Sequence, residues 1–116
     1  MADSILTSTK KILGIEEDYT AFDTDIIIHI NTILDVLHQL GIGPDEGFMI
    51  EGKEETWDDF LGGDILLNDV KTYIYLRVRL LFDPPTTSYL IEALTNQYKE
   101  LEWRINVKRE EEVNDV

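Results

Sequence analysis

Few residues in this chain could carry chemistry. Of its 116 residues, two are histidine and none is cysteine, which excludes disulfides, thiolate metal sites and thiolate nucleophiles and fits a reducing compartment. His29 and His38 stand nine positions apart; nine steps of a helix turn it by about 180°, sending the two imidazoles to opposite faces rather than to one metal. Glu54, Glu55, Asp58 and Asp59 gather four carboxylates on a short segment, enough oxygen for a hard cation or an acid/base pair. The segment lacks the central glycine and terminal glutamate of an EF-hand loop. An acid/base pair needs one carboxyl in an apolar pocket, which a chain this small rarely builds. The expected state of these acids is solvation on a loop. HExxH, P-loop and GxSxG patterns are absent, and Gly62-Gly63-Asp64 has neither the spacing nor the lysine of a phosphate loop. The sequence therefore predicts no catalytic residue, no metal and no cofactor.

What remains is chemistry of contact. Trp57 and Trp103 are candidate anchors, either of the core or of an interface with another chain, as are Phe48, Met49 and Ile50 on a glycine-flanked segment. Trp103 lies off the main apolar stripe of its helix, which favours the interface. With Arg104 beside it, the candidate interface comprises Phe48, Met49, Ile50, Trp57, Trp103 and Arg104.

Helices must position these residues. Asp3 or Ser4 can cap a short helix carrying Ile5, Leu6, Ile12 and Leu13, with Gly14 placed to end it. Asp23, Thr24 and Asp25 open a second helix of about 17 residues, whose stripe Ile26, Ile30, Ile33, Leu34, Leu37 and Leu40 advances by threes and fours up to Gly41. Residues 41–63 hold seven helix-breaking glycines and prolines and read as a long loop, in which Thr56 can cap one helical turn with Trp57, Phe60 and Leu61. Residues 64–82 support two readings. Thr72, Ile74, Leu76, Val78 and Leu80 alternate like a strand, while Leu66, Val70, Ile74, Val78 and Leu81 form a helical stripe. The length of the run favours helix. Asp83-Pro84-Pro85 ends it, and Thr86, Thr87 or Ser88 caps a last helix with the stripe Ile91, Leu94, Tyr98, Leu101 and Ile105. Glu100 and Arg104 add an i,i+4 ion pair. The fold class is all-α: a small bundle of about four helices with a long glycine-rich loop between the second and third, residues 1–109, followed by an acidic tail, residues 110–116.

The charge narrows the partners. The chain carries 24 acids against 10 bases, a net charge of −14, which repels phosphate and argues against tight binding of DNA or RNA. Residues 1–60 hold 14 acids and three bases, whereas 61–116 hold 10 and seven, so the two parts of the molecule differ in potential. The hydrophobic content of 43% is that of a globular domain rather than a disordered chain. With no bilayer-spanning apolar run and no signal-peptide pattern at Met1-Ala2-Asp3-Ser4, a soluble cytoplasmic product is expected.

Several stretches together resemble one family, the small head-tail connector (adaptor) proteins of long-tailed phages of Gram-positive bacteria. They are Ile12-Leu13-Gly14-Ile15 with Tyr19 and Phe22-Asp23, Asp25-Ile26-Ile27 through Ile30-Asn31, and Gly41-Ile42-Gly43-Pro44 with Glu46-Gly47-Phe48. Further along are Thr56 through Gly62, the most specific block from Val70-Lys71-Thr72-Tyr73 to Asp83-Pro84-Pro85, and Glu100-Leu101-Glu102-Trp103-Arg104. The resemblance implies a helical, non-enzymatic homo-oligomer, a ring that is typically dodecameric, located in the virion and assembled in the host cytoplasm. Such a ring sits under the portal protein, extends the DNA channel without binding DNA specifically, and presents a surface to a tail or stopper protein. It also favours helix for residues 64–82. An acidic channel wall would let DNA slide; Glu51, Glu54, Glu55 and Asp58 are the candidate channel-facing acids. Segment 45–59 is expected to reach toward the channel or a neighbouring subunit, and the last helix with Trp103 and the tail to dock on the portal. The alternative is a small acidic DNA-mimic inhibitor of a host nucleic-acid-binding protein, which the net charge fits equally well but the long apolar stripes do not.

Overall fold

A computed structural model of the chain describes residues 4–64 and 66–114, with side chains described up to residue 110. Asp3 as an alternative cap, and the tail beyond Glu110 in its side chains, lie outside the described residues. The structure is all-helical: α1 (Ile5–Ile12), α2 (Asp23–Gln39), α3 (Trp57–Leu61), α4 (Leu67–Phe82) and α5 (Ser88–Asn114). The ambiguous stretch resolves in favour of helix over residues 67–82. Ser4 caps α1, accepting from the Thr7 amide at 3.2 Å. α2 has the 17 residues its stripe predicts.

Both early helices end at the glycines that the sequence marks. At the end of α2, the Ile42 amide donates to the Leu37 carbonyl and the Gly41 amide to that of His38, both at 2.9 Å, while Gly41 adopts φ +84°. This is the Schellman arrangement, and Ile42 is buried, as its contact position demands. Gly14 closes α1 in the same way, with Ile15 donating to the Lys10 carbonyl. α3 begins with a full capping box: the Asp59 amide donates to Thr56 Oγ1 at 3.1 Å and the Thr56 amide to Asp59 Oδ2 at 3.0 Å.

The helices pack in the order α1, α2, α4, α5. α4 runs antiparallel to α5, since Asp69 pairs with Lys108 and Tyr73 bonds Glu102. It also runs antiparallel to α2, whose first-turn neighbour Phe22 stacks edge-on to Phe82 at 5.4 Å. Ile26, Ile30, Ile33, Leu34 and Leu37 of α2 meet Val70, Ile74 and Val78 of α4, and α5 contributes Leu101 and Ile105. Leu81, placed on the α4 stripe by its spacing, lies exposed. Residues 110–114 continue α5 without a break.

Two polar fixtures hold the irregular segments to this bundle. Lys10 is buried, its side chain 3% exposed, and its ammonium donates to the carbonyls of Glu17 at 2.9 Å and Tyr19 at 2.8 Å and pairs with Asp23 Oδ1 at 2.8 Å. The ammonium thus meets three oxygens, two through hydrogen bonds and the third as an ion pair. Asn31 on α2 treats the loop as a strand would: its Nδ2 donates to the Ile50 carbonyl at 3.0 Å and its Oδ1 accepts from the Ile50 amide at 2.8 Å. The Ile5 amide donates to the Glu55 carbonyl at 3.0 Å, and Ser4 and Thr56 form an isolated antiparallel bridge.

Removing either fixture strands buried polar groups. Lys10→Met is expected to lower stability by about 2–4 kcal/mol and Asn31→Ala by about 2 kcal/mol, whereas Lys11→Met, at an exposed position, changes it by less than about 0.5 kcal/mol. Urea unfolding followed by circular dichroism checks all three.

Candidate interaction surfaces

The bundle decides which apolar side chains remain for a partner. Trp57 and Ile50 do not: both belong to the core. Trp57 donates from Nε1 to Ser8 Oγ at 2.9 Å and stacks edge-on to Tyr75 at 5.9 Å, locking α3 to α1 and α4. Ile50 is drawn in by the Asn31 clamp. Phe48 is half-buried against Phe60, with centroids 5.3 Å apart. Of the loop trio only Met49 stands free, 69% exposed. Trp103 is 66% exposed on the outer side of α5, and Arg104 beside it pairs with Glu100 at 2.7 Å.

The candidate acids separate likewise. Glu55 serves the loop, accepting from the Glu51 amide at 2.8 Å, and Asp59 serves the α3 cap. Glu51, Glu54 and Asp58 are exposed. The structure brings Glu51 and Glu54 together with Glu16, Glu17 and Asp18 around an open cleft of about 900 Å³ between α1, the start of α2 and the loop, with Leu6 and Ile27 also lining it. Asp58 lies outside this cleft. The spacing of Glu16-Glu17-Asp18 gave no sign of the meeting, because Lys10, 41 or more residues from Glu51 and Glu54 in sequence, is what folds the 14–22 turn back beside them.

A second surface escaped the sequence reading. The end of the bundle where α2 begins, α4 ends and α5 begins exposes Tyr19, Phe22, Leu81, Tyr89, Leu90 and Ile91, with Tyr89 at 79%. Ile91 heads the stripe predicted for α5, yet α4 stops at Phe82 and leaves it uncovered. Clustered exposed apolar residues of this kind mark binding surfaces. His29 and His38 are employed locally: His29 lies edge-on to Phe82 at 6.4 Å, and His38 Nε2 is 2.9 Å from the Asp45 carbonyl. Among the described residues, no group of three or more His, Asp or Glu is placed to hold a metal ion, and no helix is long and apolar enough to cross a membrane.

The family model for phage connector proteins matches residues 5–112, nearly the whole chain. This chain belongs to that family. No curated protein and no solved structure matches it. In this connector, the block that carried the resemblance most specifically, residues 70–85, is the central helix α4 with the turn that follows, and it holds the bundle's main polar junction. Tyr73, wholly buried, donates to Glu102 Oε2 at 2.8 Å and accepts from Arg77 Nη1 at 2.9 Å. The Arg77 guanidinium also lies over the Tyr98 ring, 4.7 Å from its centroid. The connector family is structural, and the exposed apolar surfaces suit a protein whose work is contact.

Burial pushes the Tyr73 phenol up to about 12, with acceptance by Glu102 adding to the rise and donation from Arg77 opposing it. Between the ordinary tyrosine value near 10 and about 12, the unfolded phenol ionises while the folded one keeps its proton. The stability contributed by this group is therefore complete below pH 10 and falls as pH rises through that window. An ultraviolet tyrosinate titration should show one of the five tyrosines ionising last, near pH 12, and Tyr73→Phe should remove that step.

Proposed function

We propose that this connector forms a ring, a dodecamer in the virion, beneath the portal protein, where it extends the DNA channel and receives a tail or stopper protein on its far side. The family match over residues 5–112 carries this reading. The exposed apolar end and Trp103 support it, because a lone monomer gains nothing from keeping them out of its core. DNA passes through the ring without specific binding: a wall presenting carboxylates offers no counterion release to phosphate and so no hold on it. Exposed acids of segment 45–59, Asp58 among them, face the channel or the seam with a neighbouring subunit. Assembly takes place in the host cytoplasm, and the ring stays in the virion.

The acidic end of α5 docks on the portal in this reading. Deleting residues 110–116 should reduce capture by portal rings, and unchanged capture would remove the tail from the docking surface. The ring itself is tested by native mass spectrometry of the connector alone and mixed with its portal protein. A species holding several connector copies per portal is expected; a connector that stays monomeric in both samples would contradict the proposal.

A further inference from the structure

The charge of the chain divides along its helix order. Residues 1–70 carry 16 acids and three bases, while residues 71–109, which span most of α4 and α5, carry four acids and seven bases. In a protein of net charge −14 this stretch is thus net positive, and α4 and α5 in full with the turn between them, residues 67–114, are close to neutral with eight acids against seven bases. The helices pack in the order α1, α2, α4, α5, so the acidic and basic parts occupy opposite flanks. One copy of the chain presents both halves of a complementary pair, which its own fold keeps apart.

Each flank also has a feature of its own. On the basic flank Trp103 projects 66% exposed, with Lys99 one turn before it, exposed, and the Arg104–Glu100 pair alongside. On the acidic flank the open cleft of about 900 Å³ combines apolar Leu6 and Ile27 with Glu16, Glu17 and Asp18. An indole needs apolar walls, and the cations around it need carboxylates at the rim. We infer that Trp103, with Lys99 and Arg104, seats in the cleft between α1, the 14–22 turn and the loop of a second copy of this chain. The two surfaces differ, so the contact is head-to-tail, the type that closes into rings. It rests on the ring reading above and gives that ring its subunit contact. Trp103 therefore belongs to the neighbouring copy and not to the portal, and Glu51 and Glu54 stand at the seam between copies.

The absence of native cysteine allows a direct test. Two single-cysteine full-length variants, Asn106→Cys, one turn after the intact Trp103, and Thr7→Cys in the cleft lining, are mixed with portal and oxidised. A mixed disulfide dimer is expected, at least tenfold more abundant than when Tyr89→Cys replaces Asn106→Cys. In parallel, Lys99→Glu with Arg104→Glu should weaken self-association by tenfold or more, and Glu16→Lys with Glu17→Lys in the same chain should restore it. Circular dichroism confirms that each variant is folded. Multimers whose yield and cross-linking ignore all these changes would overturn the contact and leave the ring standing; wild-type protein that never exceeds monomer mass, with or without portal, would overturn both.

Discussion

Lys10 places its ammonium where three oxygens from two segments converge: the turn carbonyls of Glu17 and Tyr19, and the carboxylate of Asp23 at the start of α2. In a chain with 24 acids, one buried cation held by two carbonyls and a carboxylate does more than neutralise a neighbour. It fixes the 14–22 turn against α1, seats α1 on α2, and so forms one wall of the acidic cleft. The opposite wall depends on Asn31, which supplies the Ile50 backbone with the two hydrogen bonds a β-partner would give. Without these two side chains the acids of residues 16–18 and 51–54 would have no defined relation, and the cleft would have no shape.

Much of the architecture was legible because local signals agreed. The 17 residues of α2 begin at the acids that favour a helix start and stop at the glycine that suits its end. Thr56 with Asp59 built the α3 cap from a four-residue pattern. Residues 64–82 were ambiguous for a physical reason. α4 lies between α2 and α5, so it buries Val70, Ile74 and Val78 together with Tyr73, and a helix covered on two sides loses the single apolar stripe that identifies it. Tyr73 and Arg77, which belong to the strand-like alternation, stand one helical turn apart and share one polar network.

The surfaces were less legible, since they follow from where neighbouring elements stop. Trp57 and Trp103 are the same residue type; one is drawn into the core by Ser8 on another helix, and the other faces outward. Ile91 fits its stripe as well as Ile105 does, yet α4 ends too soon to cover it. The opposition of the base-rich stretch 71–109 and an acidic flank required the helix order, which spacing alone does not supply. The single chain thus buries one core while leaving Met49, Tyr89 and Trp103 exposed.

The most direct test of that account is an electron cryomicroscopy reconstruction of the portal vertex in DNA-filled heads. A ring of these five-helix subunits lying against the portal, with carboxylates lining the path of the DNA, is the predicted result. A filled-head vertex from which this chain is absent would contradict it.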